Sequence, residues 1–208
     1  MLIHCIRHGQ STSNAEGRVQ GQLDVPLSPL GLRQSAAVAE ALADPSIDAL
    51  YSSPLCRALE TARAVAGRLR LPIRQDRRLM EIHAGVFQGQ RRSDLAARFP
   101  EELAGWHSED LDFRIPGGES RRDLMTRGSA AFREIAAAGH RQAAIVAHGR
   151  LLIVTVKNLV GLPHDAPPFA LHNGSITTIS FREGRFALEA IDRTDHLAGI
   201  GLGSQGDL

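Results

Sequence analysis

Residues Met1–Ser11 read MLIHCIRHGQS, and a second run, Ala143–Gly149, reads AAIVAHG. Each is a short apolar stretch that stops on a histidine followed by glycine. Apolar runs of this length, bounded by polar and glycine-containing sequence, read as strands buried on both faces. The first such strand is expected over Ile3–Arg7. In an open α/β sheet, ligands bind beyond the carboxyl ends of the strands. His8 and His148 are therefore expected at one edge of one sheet, each followed by a glycine that lets backbone approach a ligand.

The sequence between these strands alternates in kind. A polar loop is expected from Gly9 to about Val25. Ser28 and Pro29 are a fitting N-cap and first residue for a helix that Asp44-Pro45 ends. IDALYSS reads as a second strand and SPLCRALETARAVAGRL as a second helix, with Ser53-Pro54 as its start. Residues 78–118 are less regular, with short helical candidates at Ser93–Phe99 and Glu101–His107. A long helix is expected from about Ser120 to Ala138, with Leu124, Phe132 and Ile135 on its buried side. An apolar helix to about Val160 follows the second His-Gly. SITTISFREGRFALEAI alternates and turns at Glu183-Gly184, the pattern of a β-hairpin. The fold class is α/β: one domain with a mostly parallel central sheet flanked by helices. It is expected to span 1–198, with a cap-like insertion at about 83–118 and a flexible tail over 199–208.

The chain has 208 residues, 24 Lys+Arg against 23 Asp+Glu, and a net charge of +1. A chain this long closes a core without staples. The balance argues against a general nucleic-acid or membrane-surface binder, which carries a large basic excess, while leaving room for a small positive pocket. The two cysteines, Cys5 and Cys56, make no disulfide framework and no metal-ligand spacing. They read as small buried apolar residues. Met1–Ile6 is too short for a signal peptide or a spanning helix. The setting read from this is the reducing cytoplasm, and the protein is expected as a monomer or homodimer.

YSSPLCR supplies a third strand end and puts Arg57 in the first turn of a helix. A lone histidine at a strand end is more often structural than catalytic. Two of them, with Arg7 and Arg57, are harder to explain as packing, because gathered buried cations are costly unless an anion compensates them. The expected ligand is a dianion held by cations and a helix N-terminus, with phosphate as the first candidate.

The blocks RHGQSTSN, GQLDVPLSPLG, SSPLCRALETA, LMEIHAGVFQG, PGGES and VAHG resemble, in order and spacing, the signature blocks of the histidine phosphatase superfamily in its phosphoglycerate mutase-like branch. The resemblance runs from about Ile3 to Thr178. It implies His8 as the nucleophile that becomes phosphorylated. It implies Arg7, Arg57 and His148 as clamps on the phosphoryl oxygens, helped by Asn14. Glu81, in LMEIH, is implied as the proton donor to the leaving oxygen. Backbone at Gln20-Gly21 and the amide of Gly149 are implied as pocket lining. No cofactor and no metal is implied; guanidinium groups take the metal's place.

The same resemblance separates activities. The family's mutases carry a longer middle segment with paired arginines, but here Arg114 stands alone before the IPGG turn. Arg92 stands where mutases have lysine, Ala84 where they have tyrosine, and Arg150 where they have asparagine. The favoured function is therefore a metal-independent phosphomonoesterase acting on a small phosphorylated metabolite through a phosphohistidine. A phosphoglycerate mutase using the same phosphohistidine and a non-catalytic phospho-ligand binding module are the alternatives. Phe87, Arg92, Phe99, Trp106 and His107 are candidates for the pocket rim, although packing within the cap is the plainer reading of Phe99 and Trp106. Arg92, Arg114 and Arg150 are either contacts to a second anionic group of the substrate or solvated surface residues.

Overall fold

The computed structural model describes residues 1–163 and 169–202. Its centre is a six-stranded sheet in the order β3-β2-β4-β1-β5-β6. The strands are β1 (Leu2–Arg7), β2 (Ile47–Ser52), β3 (Ile73–Gln75), β4 (Gln142–Ala147), β5 (Ile176–Arg182) and β6 (Arg185–Arg193). β1, β2, β3 and β4 run parallel, and the β5–β6 hairpin closes the sheet antiparallel to β1. The α/β class and the mostly parallel sheet are as read from the sequence.

Among the described residues, seven α-helices accompany the sheet: α1 (Thr12–Ala15), α2 (Pro29–Ala41), α3 (Cys56–Leu69), α4 (Leu95–Arg98), α5 (Pro100–His107), α6 (Arg121–Ala137) and α7 (Gly149–Leu159). The period-two alternation of the central strands sends their side chains into two cores. Ile6, Leu50, Ala144 and Val146 pack with Val38, Ala58, Ala62 and Val65 beneath α2 and α3. Ile3, Cys5, Ile145 and Ala147 pack with Leu124, Phe132, Ile135, Leu151 and Val156 beneath α6 and α7. Cys5 thus faces α6 and α7 while Cys56 opens α3 across the sheet, and both are free thiols. Burial pushes the Cys5 thiol far above its ordinary range.

Local sequence accounts for most boundaries. Ser28 caps α2 by accepting from the amide of Gly31, with Pro29 at the first position. Ser120 and Asp123 form a reciprocal capping box on α6. Glu183 (φ 52°) and Gly184 (φ 78°) turn the hairpin in the left-handed region. Three boundaries differ from expectation. α3 begins at Cys56, after Leu55 and not at Ser53. Ser53 lies ahead of the helix, its Oγ 2.8 Å from His148 Nε2 and accepting from Leu55 N at 3.3 Å. The short β3 has no apolar alternation of its own and exists through its pairing with β2. Within the expected loop 9–25, Ser11 and Asn14 build a capping box around the single turn of α1.

Phe87, Leu95, Trp106 and Ile115 of segment 83–118 are buried in the same cluster as Leu124 and Phe132. That segment therefore has no separate core. Phe99 and Trp106 pack inward, but into this shared cluster and not into a core of the cap's own, and Phe87, considered for the rim, is fully buried. Of the expected flexible tail, residues 199–202 are described. The side-chain amide of Gln34 donates to Gly201 O at 2.8 Å, tying them to α2. Residues 203–208 lie outside the described residues.

α6 and α7 cross closely at Gly128, where a Cβ would lie 2.2 Å from the buried Thr155 Oγ1. Gly128→Ala is therefore expected to cost about 1–3 kcal/mol by overpacking, seen as a lower urea midpoint. Thr155→Ala in the same chain is expected to recover part of the loss. An unchanged midpoint in the single variant contradicts this packing.

Candidate active site

Strand register assembles the site. Arg7 pairs with Ala147 and Ser52 with Val146. The residues that follow, His8, His148 and Ser53, therefore leave three adjacent strands side by side. His8 N donates to Ala147 O at 3.0 Å and Ser53 N to Val146 O at 3.0 Å. The ring centroids of His8 and His148 lie 5.1 Å apart, edge to face. The two His-Gly strand ends meet as the sequence predicted.

The state of His8 follows from its neighbours. Its Nδ1 lies 2.6 Å from Gly9 O, and a carbonyl only accepts, so Nδ1 carries the hydrogen. Its Nε2 accepts from Arg57 Nε at 3.2 Å. The imidazole is thereby held neutral, with its Nε2 lone pair turned into the cluster. Gly9, expected to make room for a ligand, makes room for a helix. A Cβ there would lie 2.4 Å from Gly31 O, at the start of α2.

Arg57, in the first turn of α3, also donates to Leu23 O at 3.0 Å and Gly21 O at 2.8 Å. It thus pins the loop that carries Gln20 and Gly21 beside His8. Arg7 is fully buried and donates to Leu171 O at 2.5 Å. Asn14 Oδ1 accepts from Ser11 N and Asn173 Nδ2, both at 3.2 Å, which fixes the orientation of its amide. Gln20 Oε1 accepts from the Ser11 hydroxyl at 2.6 Å.

Glu81 is 1% exposed. Its Oε1 accepts from Ile82 N at 2.9 Å and Leu151 N at 3.0 Å, and its Oε2 from Arg150 N at 3.0 Å. The carboxylate thus sits on the N-terminus of α7, which Gly149 opens, where amides and the helix dipole favour negative charge. The start of this helix, whose Gly149 amide was expected as pocket lining, holds this carboxylate through the amides of Arg150 and Leu151.

The remaining predicted residues are more peripheral. The Arg150 guanidinium lies over the Trp106 ring at 5.4 Å, and that of Arg121 lies over the same ring at 5.5 Å. Arg92 is half-buried and donates its amide to Gly17 O at 3.0 Å, against the loop that follows Asn14. Arg114 is an exposed residue ion-paired to Asp123 at 2.7 Å. His107 is exposed at the end of α5.

Sequence reading missed three supports. Ser53 against His148 follows its strand end as His8 and His148 follow theirs, and that position was the available signal. Asn173 Nδ2 donates to His8 O at 3.2 Å, and Thr61 Oγ1 accepts from Gly9 N at 3.1 Å. Both come from distant segments, with no local pattern to mark them.

The family model described as histidine phosphatase superfamily (branch 1) matches residues 3–194. The chain belongs to the histidine phosphatase superfamily. A glucosyl-3-phosphoglycerate phosphatase of Mycolicibacterium vanbaalenii is 39% identical over 171 residues, covering 78% of this chain and 76% of that one. A probable phosphoglycerate mutase, GpmB, of Proteus mirabilis is 31% identical over 213 residues and 97% of each chain. A mycobacterial glucosyl-3-phosphoglycerate phosphatase solved with VO3 superposes with a TM-score of 0.84 at 35% identity, over 93% of this chain and 99% of that one. Phosphatase activity on a small phosphorylated metabolite fits the superfamily and these relatives.

Arg57→Ala removes a cation from the cluster and releases Gly21 and Leu23 together. Charge-assisted bonds are worth about 1.5–3 kcal/mol, so inorganic phosphate is expected to bind roughly tenfold to a hundredfold more weakly, measured by calorimetry or product inhibition. Unchanged phosphate affinity would remove Arg57 from the anion site.

Proposed function

We propose that this chain hydrolyses phosphate monoesters of small metabolites through a phosphohistidine on His8. The observation that carries this is the fixed tautomer of His8. Its Nδ1–H is bound to Gly9 O, and its Nε2 lone pair is turned to Arg57, with the His148 ring beside it. A neutral imidazole held that way is an activated nucleophile.

In the first step His8 Nε2 attacks phosphorus, the ester P–O bond breaks, and the leaving oxygen takes a proton from Glu81. In the second, water attacks the phosphohistidine, the N–P bond breaks, and the Glu81 carboxylate takes the water's proton. Phosphoryl transfer is governed by positioning and charge neutralisation. Arg7, Arg57, His148 and the Asn14 amide supply these, with Gln20, Gly21 and Gly149 shaping the pocket and Arg92 and Arg150 facing the rest of the substrate. The Arg57 Nε–H on His8 Nε2 passes to a phosphoryl oxygen when the ester binds. No metal and no organic cofactor is needed for either step.

A mutase would return the phosphoryl group to a second hydroxyl of its substrate, and one relative carries that name. Arg114, the cap arginine before the IPGG turn, is committed to Asp123 and to Gly118 O. That favours the hydrolytic reading. The catalytic unit is taken as residues 1–198 with 83–118 as its cap. Among the described residues no helix is long and apolar enough to cross a membrane. A cytoplasmic setting and a monomer or homodimer, without a nucleic-acid partner, belong to the same proposal.

Rapid-quench experiments are expected to trap an acid-labile phosphoprotein in the native chain and none in His8→Ala, which keeps its fold and loses turnover. Full turnover by His8→Ala overturns the nucleophile. Activity is expected to survive EDTA and to be inhibited by vanadate; strict dependence on added divalent metal contradicts the mechanism. The substrate class is tested by phosphate release from glucosyl-3-phosphoglycerate, phosphoserine, ribazole phosphate and sugar phosphates, beside a mutase assay on 3-phosphoglycerate. Isomerisation outpacing release would make the chain a mutase.

A further inference from the structure

The segment that presents Glu81 has little regular structure of its own, being a 3-10 turn at Arg77–Leu79 followed by loop. Gln22 Nε2 donates to Glu81 O at 3.0 Å, and most of the other contacts on the segment's backbone come from Arg127 of α6 and from Glu119, just before that helix. Arg127 Nη1 donates to Arg78 O at 2.8 Å and Met80 O at 2.5 Å, and its Nη2 donates to Glu81 O at 2.8 Å. The same guanidinium makes a two-pronged ion pair with Glu119, at 2.9 Å on each prong. Glu119 in turn accepts from His83 N at 2.8 Å and donates its own amide to His83 O at 2.9 Å. The pair is about four-fifths buried. It grips the backbone at 78, 80, 81 and 83, on both sides of Glu81, and in these contacts leaves the carboxylate alone.

We propose that Arg127 and Glu119 form a positioning pair that fixes where the Glu81 carboxyl group sits against α7 and the leaving oxygen, and so govern proton donation; this rests on the reading of Glu81 as the acid. Five donors in a rigid plane meet three carbonyls and a carboxylate here, a pattern lysine has no geometry to reproduce. Proton transfer demands hydrogen-bond reach, and displacement by about 1 Å costs on the order of a hundredfold in rate.

The test compares 4-nitrophenyl phosphate, whose leaving group departs without a proton, with phenyl phosphate, whose leaving group benefits from one. Arg127→Lys and Glu119→Gln are measured beside Glu81→Gln. Both positioning variants are expected to lower kcat/KM for phenyl phosphate at least tenfold more than for nitrophenyl phosphate, reproducing the bias of Glu81→Gln and displacing the basic limb of the pH profile. Equal losses on both substrates, or none, overturn the positioning role. If Arg127→Lys fails to fold, Glu119→Gln, which keeps shape and an acceptor, decides alone. If Glu81→Gln itself shows no bias, the acid assignment falls and the positioning role with it. A bias in Glu81→Gln alone sinks only the positioning role.

Discussion

The parallel pairing of β1 with β4 is the constraint from which the site follows. Arg7 opposite Ala147 makes His8 and His148 the next residues out, and the chain has no freedom to separate them. A slip of one residue would exchange the faces of Ile3, Cys5 and Ile6 and ruin both cores. Catalytic geometry is thus secured by the burial of apolar side chains well away from it. Ser53, one residue beyond β2, is delivered against His148 by the same ladder.

That convergence is electrostatically adverse. Arg7 and Arg57 are at most 1% exposed, and two imidazoles lie among them. Burying positive charge is costly. The protein offsets it with backbone carbonyls, those of Leu171 on Arg7 and of Gly21 and Leu23 on Arg57. A gathering of buried cations suits a ligand bearing two negative charges. The same contacts hold the pocket loops in place, so the anion site and its walls are one construction.

How much of this was legible in the sequence depends on range. Ser28, Ser120 with Asp123, and Glu183-Gly184 signal their elements within four residues, and the structure follows them. His8, His148 and Arg57 were legible because strand ends in a parallel sheet share an edge. Glu81 was legible only through resemblance, since nothing local distinguishes it from other carboxylates. Ser53 was misread: a serine before proline looks like a helix cap until the histidine that claims it arrives from 95 residues away. The cap misled similarly, because Phe87 and Trp106 read as rim or local core while Leu124 and Phe132 of α6 complete their packing. Arg127 left no trace, because its three carbonyl partners carry no side-chain signature.

The α7 N-terminus shows why placement of one carboxylate matters so much. A helix start is a ready anion site, and in a phosphatase the expected occupant is phosphate. Here the amides of Arg150 and Leu151 are taken by Glu81. Those amides favour the charged carboxylate, the form that in the proposed second step accepts a proton from water. A phosphate ester dianion nearby favours the neutral acid, the form required in the first. On the proposed mechanism the substrate therefore brings with it the condition that protonates its own acid, and its departure restores the base. Such opposing fields balance only over a narrow range of positions, which gives a physical reason for the backbone around Glu81 to be held by Arg127 and Glu119 and its carboxylate by the amides at the start of α7.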